Sequence, residues 1–268
     1  MSEAESKSGS NRWIPLESNP EVFNEWAQKS GLATSQVCFH DVYGLEEELL
    51  ELVPKPAKAV ILLFPLDGAI KEQRQKEDEG LSKQDQPLVD KTILWIKQTI
   101  SNACGTMALL HAIANTNVTI APESALAKFI EHCKDKTPLE RAHLLETTPL
   151  FTEIHAELAE EGQTPVPTNL DTDLHFTCFI LTPSQEKREI ASSGVDTEES
   201  GKEIQVTGSK MRLIELDGTR QGPVDRGESS EHDFLKDVGK IIKKIYFTNS
   251  DTMLFSLMAL APPPPEDF

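Results

Sequence analysis

The chain has 268 residues, with 26 Lys and Arg against 44 Asp and Glu, and a formal net charge of −18. An acid excess of that size argues against DNA or RNA as the main partner, because phosphate is repelled by such a surface, and favours a protein with a basic face. No uncharged apolar run reaches 18 residues, so no membrane-spanning helix is expected.

Residues 1–10 are polar and predict a disordered start, with no apolar leader, so a cytoplasmic location (and a nuclear one besides) is expected. Asn19, Pro20 and Gly31 then punctuate a helix carrying Val22, Phe23 and Trp26: an N-cap, a first-turn proline and a terminal glycine. EEELLEL at 46–52 reads as a short helix, and AVILLFP at 59–65 as a buried strand. Residues 71–90, rich in both charges, predict a solvated helix or loop. A helix follows from Cys104 to Asn115. Another opens with Pro122 at its first position and runs through Cys133, and the capping box Thr137-Pro138-Leu139-Glu140 opens a third.

Leu150, Ile154 and Leu158 recur at helical spacing, whereas 160–171, with Gly162, Pro165 and Pro167, cannot be regular. LHFTCFIL at 174–181 and MRLIELDG at 211–218 are strands, separated by a long polar insertion at 184–210 that reads as exposed. Ser230 caps a helix running to about Phe247, and 250–261 is apolar enough for a last strand. PPPPEDF at 262–268 makes an extended Pro-rich tail. Helices first and strands later predict an α+β fold with a mainly antiparallel sheet flanked by helices. Residues 11–261 read as one domain.

The four cysteines, Cys38, Cys104, Cys133 and Cys178, show no C-x-x-C spacing, so no zinc finger or redox pair is written locally. Cys104 stands at the start of a helix, where the positive end of the helix dipole favours a thiolate. Small Ala103 and Gly105 beside it leave room for a substrate backbone. Two readings stand for this thiol: a nucleophile, or a buried apolar residue.

A nucleophilic thiol needs a base. His111 lies seven residues on, about 10 Å along the helix, which is too far. It reads as packing or surface, and His132, His143 and His232 read as solvated. His40, beside Asp41, stays ambiguous. His175 opens a strand after the irregular loop, rigid yet accessible. Strand alternation places it with Thr177 and Phe179, and puts Cys178 on the other face as a core residue. Asp217 ends the returning strand and can orient an imidazole, with Asp171 and Asp173 as competitors. Its other reading is a turn residue in Asp-Gly. Gln98, six residues before Cys104, could supply an oxyanion-hole amide with the Cys104 N–H.

The string QTISNACGT, followed by HAIAN, resembles the nucleophile segment of the ubiquitin C-terminal hydrolases, a papain-like cysteine protease family. WIPLESNPEV, DVYGLEEELL, VPKPAKAVILLFP, GQTPVP, LHF and ELDG resemble family segments in family order, over most of the chain. The resemblance implies Cys104 as nucleophile, His175 as base and then acid, Asp217 as orienter and Gln98 in the oxyanion hole. It implies a papain-like, knotted backbone and a crossover loop at about 153–168 that straddles the site and limits the size of what leaves. Pro15, Leu16, Glu17 and Asp41 resemble the positions that touch ubiquitin.

The implied activity is hydrolysis of small adducts or peptides from the terminal glycine of ubiquitin through a Cys thioester, by a monomer with no cofactor or metal. A non-catalytic ubiquitin-buffering protein, and a hydrolase of a related modifier, are the rival readings. Residues 150–173 hold six acids and no Lys or Arg. The family's substrate ends in a tail with arginines, so this charge is expected to steer it.

Overall fold

A computed structural model describes residues 12–82, 92–166, 168–183, 211–250 and 252–264. Its centre is one antiparallel sheet made of β1 (Cys38–Asp41), β2 (Ala59–Pro65), β3 (Leu174–Pro183), β4 (Met211–Leu216), β5 (Val224–Ser229) and β6 (Ser256–Ala261). The strand order is β1-β6-β2-β3-β4-β5. The apolar runs of β2 and β3 occupy the middle of the sheet because both of their faces are covered. They pair from Ala59↔Ile180 to Pro65↔Leu174, and β3 pairs β4 from Cys178↔Leu216 to Pro183↔Met211. The α+β fold with an antiparallel sheet between helices is therefore observed.

Alternation along the strands divides the core in two. Ile61, Cys178, Leu216 and Met258 face one side. There they meet α1 (Pro20–Ser30), α4 (Cys104–Ala114), α5 (Ala125–Cys133), α6 (Pro138–Glu146) and α7 (Pro149–Glu160). Val60, Leu62, Phe64 and Phe179 face the other side. They meet α2 (Glu47–Leu50), α3 (Gly68–Ser82) and α8 (Phe234–Ile241), which continues as a π turn Ile242–Tyr246 and a 3-10 turn Phe247–Asn249. Trp26 of α1 stacks on Phe151 of α7 at 5.6 Å, fastening the first helix to the one before the crossover.

Local signals place the helix ends. Asn19 accepts the Glu21 amide, Gly31 closes α1 at φ 117, and Thr137 with Glu140 forms the capping box of α6. Some elements differ from expectation. Helix α5 opens at Ala125, not at Pro122, because Ser124 accepts the Ala127 amide and so provides the cap. Ser230 stands before a turn, where it accepts the Asp233 amide, and α8 starts only at Phe234. Strand β5, Val224–Ser229, carries Asp225, Arg226, Gly227 and Glu228, and so had no strand signature. Helix α7 extends through Glu160, so 153–160 of the expected crossover loop is helical. The segment 71–90 is helical to Ser82 as part of α3. Residues 1–10, the insertion at 184–210, Pro167 and the last four residues of the tail lie outside the described residues.

Candidate active site

Helix α4 begins at Cys104 itself. Ahead of it, Asn102 takes a left-handed φ of 63, a conformation that Asn tolerates better than most residues. The first-turn amides of α4 have no partner within the helix, and no side chain caps it. The Asn102 side chain donates to the carbonyls of Trp13 and Leu170, both at 3.0 Å, so it ties the N-terminal segment and the crossover segment to the start of the helix.

The first residues of β3 and the end of β4 face this helix start. One step past the last β3–β4 pair, Asp217 falls opposite Thr177 and diagonal to His175 on the same face. Its Oδ2 lies 2.9 Å from His175 Nε2. The Cys104 thiol shares a cavity wall with the ring, and its proximity adds to the pull that keeps the imidazole charged. Cys104, His175 and Gln98 line a single cavity of about 290 Å³, together with Arg12, Asn102 and Asp173. The structure thus brings together four residues spread over 120 positions of sequence, Gln98, Cys104, His175 and Asp217. Of the competing acids, Asp171 instead pairs with Arg12, and Asp173 is exposed.

The electrostatics follow from burial and pairing. Burial by itself would discharge His175, but the charge of Asp217 outweighs it and raises the imidazole to about 10. Burial likewise opposes the charge of Asp217, and the guanidinium of Arg74, then His175, hold its carboxyl well below the usual range. Arg74 bonds the same Asp217 oxygen from α3. The charge-rich helix is therefore not wholly solvated: Arg74, Glu77 and Asp78, at helical spacing, share its inner face. Glu77 and Asp78 pair with Arg220 and Arg226. That i, i+3, i+4 spacing was the available signal in the sequence.

Two other histidines support the site. His111 is fully buried, and its Nε2 accepts the Ile96 amide at 3.0 Å, two residues before Gln98. His155 of α7 accepts Thr106 at Nδ1, 2.9 Å, and donates from Nε2 to the Ile14 carbonyl, 2.7 Å. Burial lowers both to about 4, so both rings are neutral. Gln98 donates to the Ile100 carbonyl at 3.1 Å and has a second amide hydrogen. Cys178 and Cys133 are buried, and burial pushes both thiols up, the latter to about 11.

The residues matched to ubiquitin contact differ in exposure and in what they hold. Leu16 is 4 % exposed and packs on Gly105, where a Cβ would stand 3.2 Å from it. The small Gly105 therefore makes room for Leu16 rather than for a substrate backbone. Pro15 is half-buried. Glu17 accepts the amide and hydroxyl of Thr164 at 2.9 and 3.0 Å, so it holds the crossover segment. Asp41 is exposed at the end of β1.

Comparisons with known proteins place this geometry in context. The sequence profile of "Ubiquitin carboxyl-terminal hydrolase, family 1" matches residues 13–246. The chain is 35 % identical to Arabidopsis thaliana ubiquitin carboxyl-terminal hydrolase 3, over 97 % of the chain and 99 % of the relative. It is 34 % identical to the human ubiquitin carboxyl-terminal hydrolase isozyme L1, over 92 % and 96 %. Among solved structures it is similar to the Trichinella spiralis UCH37 catalytic domain bound to ubiquitin vinyl methyl ester. The TM-score is 0.67 at 22 % identity, covering 94 % of this chain and 96 % of that one.

Proposed function

The chain belongs to family 1 of the ubiquitin carboxyl-terminal hydrolases, and from that premise we propose that it is a thiol hydrolase freeing small adducts or peptides from the C-terminal glycine of ubiquitin. The observation that carries the reading is Cys104 at the start of α4, in one cavity wall with a His175 whose Nε2 is 2.9 Å from Asp217.

The chemistry is acyl transfer. The Cys104 thiolate adds to the glycine carbonyl carbon, and the oxyanion takes hydrogen bonds from the Cys104 N–H and the Gln98 side-chain amide. The His175 imidazolium, kept charged by Asp217, gives its proton to the leaving amine as the C–N bond breaks. The neutral ring then takes a proton from water, whose oxygen attacks the thioester. The thiolate leaves, and His175 is again the imidazolium. No step calls for a metal or an organic cofactor.

Crossover residues 161–166 begin where α7 ends, and 168–173 finish beside His175, with Thr172 and Asp173 in the cavity wall. A strap across the site admits only thin leaving groups. The four free thiols suit a reducing compartment, the cytosol or nucleus.

The test is turnover of a fluorogenic ubiquitin C-terminal amide. Cys104→Ala is expected to abolish it. Asp217→Asn should lower kcat by about 10²–10⁴-fold, whereas Asp171→Asn keeps it. No turnover by the wild type, or full turnover by Cys104→Ala, overturns the proposal. Parallel rates on a ubiquitin-like modifier decide which modifier is preferred.

A further inference from the structure

Helix α3 supplies a buried cation to this site. Arg74 is 5 % exposed, and its Nη2 bonds Asp217 Oδ2, the oxygen that also meets His175. The other carboxylate oxygen accepts the amide and hydroxyl of Thr219 at 2.8 and 2.7 Å. Asp217 thus accepts four hydrogen bonds, which fills its capacity and leaves its side chain one orientation. The guanidinium is held in turn: its Cζ lies 5.1 Å from the Phe64 ring centroid, and Phe64 meets His175 edge-on at 5.7 Å. Phe64, Arg74, Asp217 and His175 form a closed ring of contacts.

The charges decide what this ring does. A thiolate, an imidazolium and a carboxylate sum to one negative charge in a site with little water. An unbalanced buried charge is costly, and the cheapest relief is to return the proton to sulfur. A guanidinium on the carboxylate brings the sum to zero. We infer that Arg74 is a positioning residue of the reaction: it fixes Asp217 as an ionised carboxylate aimed at His175 and balances the charge of the Cys104–His175–Asp217 set. The inference rests on Cys104 being the nucleophile, as proposed above.

Other charged or titratable groups face the set from each packed element. These are His111 from α4, Glu215 from β4, Arg220 from the turn after β4, Arg226 from β5 and Tyr246 from the π turn. Arg12 and Asp173 stand across the cavity. Their charges are largely spoken for by one another. Glu215 takes Arg226 at 2.6 Å and the Tyr246 hydroxyl at 2.6 Å. Arg220 takes Glu77 and Asp78 at 2.7 and 2.6 Å. Among Arg74, Arg220 and Arg226, Arg74 is the one whose guanidinium pairs with the Asp217 carboxylate.

The experiment compares Arg74→Met and Arg74→Lys with the wild type in two assays across pH. One is hydrolysis of the fluorogenic ubiquitin amide. The other is alkylation of Cys104 by iodoacetamide, which needs no ubiquitin. Removing the cation favours protons on both sulfur and imidazole, so in Arg74→Met both limbs of the profiles should move up by about one pH unit. Its kcat at neutral pH should fall by about tenfold with KM within about twofold. Arg74→Lys keeps the charge and should keep both limbs within about 0.3 of a unit.

A folded Arg74→Met whose limbs do not move overturns the inference, whatever its kcat, because a merely structural arginine changes the folded fraction and not the titration. If Arg74→Met has no cooperative melt, folded Arg74→Lys decides. Wild-type limbs support the inference, and limbs displaced by about one unit overturn it. Should the wild type fail to turn over the ubiquitin amide while the alkylation limbs shift as stated, the substrate reading falls and the role of Arg74 stands.

Discussion

Gly218 lies so close to Gln98 that a Cβ on it would stand 2.9 Å from both the backbone nitrogen and the Cβ of Gln98, and 3.0 Å from the Ile96 carbonyl oxygen. The Gln98 amide donates to the Gly218 carbonyl at 2.9 Å across this contact. Gly218 has an ordinary backbone conformation, since the positive-φ glycines are Gly31, Gly68 and Gly227. Asp217 opens a turn in which the Arg220 amide donates to its carbonyl, and Gly218 is needed there for close approach rather than for a left-handed backbone. The residue after Asp217, the proposed orienting acid, is packed against the residue proposed to line the oxyanion hole.

Gly218→Ala is therefore expected to push the Gln98 backbone away and misplace its amide. Losing one oxyanion donor costs about 10²–10³-fold in kcat, so a partial displacement should cost at least about tenfold, with KM for ubiquitin little changed. Steady-state kinetics on the ubiquitin amide check this, with a thermal melt to confirm folding. An unaltered kcat would mean that Gln98 is not in the reacting geometry.

The crossover segment is clasped at both ends by the N-terminal segment. Glu17 holds Thr164, Arg12 pairs with Asp171, and Asn102 holds the Leu170 carbonyl. Gly162 packs on Glu17 so tightly that a Cβ would collide with its carboxylate. Glu17→Ala with Arg12→Ala should loosen the strap and raise the rate on a folded ubiquitin fusion, relative to the small amide, by a few-fold. Equal ratios in variant and wild type would show that the clasp does not limit leaving-group size.

Acid should destabilise the fold before alkali does. Burial lowers His111 and His155 to about 4 in the folded chain, whereas in the unfolded chain each titrates near the usual 6.5. Between those values the unfolded state binds more protons, so stability held above pH 6.5 is lost as pH falls toward 4, by on the order of 3 kcal/mol per histidine. His175 acts in the opposite sense: raised to about 10, it contributes fully below 6.5 and its contribution fades as pH rises through 10. Urea unfolding from pH 4 to 8 reads the acid slope. His155→Gln should flatten it, and an unchanged slope would place the protons elsewhere.

The acidity of residues 150–173 divides in the fold. Glu157 pairs with Lys29 and Asp171 with Arg12. Glu153, Glu160, Glu161 and Asp173 are exposed around the crossover. Their field should speed encounter with the arginine-bearing tail of ubiquitin, so kcat/KM is expected to fall several-fold between low and high salt. Replacing Glu160 and Glu161 with Gln should weaken that dependence. A flat salt profile would make the charge a solubility feature.

Much of the candidate site is legible in the sequence. Cys104 was marked by a helix start, His175 by the opening of an alternating strand, and Asp217 by the end of the returning one. Each signal is local, and the β3–β4 pairing then joined the last two. The contacts that differed are long-range. Leu16 looked like a surface residue of the N-terminal segment and is buried on Gly105. Helix α3 looked solvated because its charges are dense, yet one face of it lies under the site.

What the sequence determined by itself is what short-range physics writes: caps, apolar periods, strand alternation and a strongly recognisable nucleophile string. Only the tertiary structure decided which charges share a space without water. Arg74 and Asp217 are 143 residues apart and belong to different elements. The strength of their pairing depends on distance and on burial, and neither is encoded in composition or spacing. The same acid, placed one strand register away or left in solvent, would carry the same sequence signal and orient nothing.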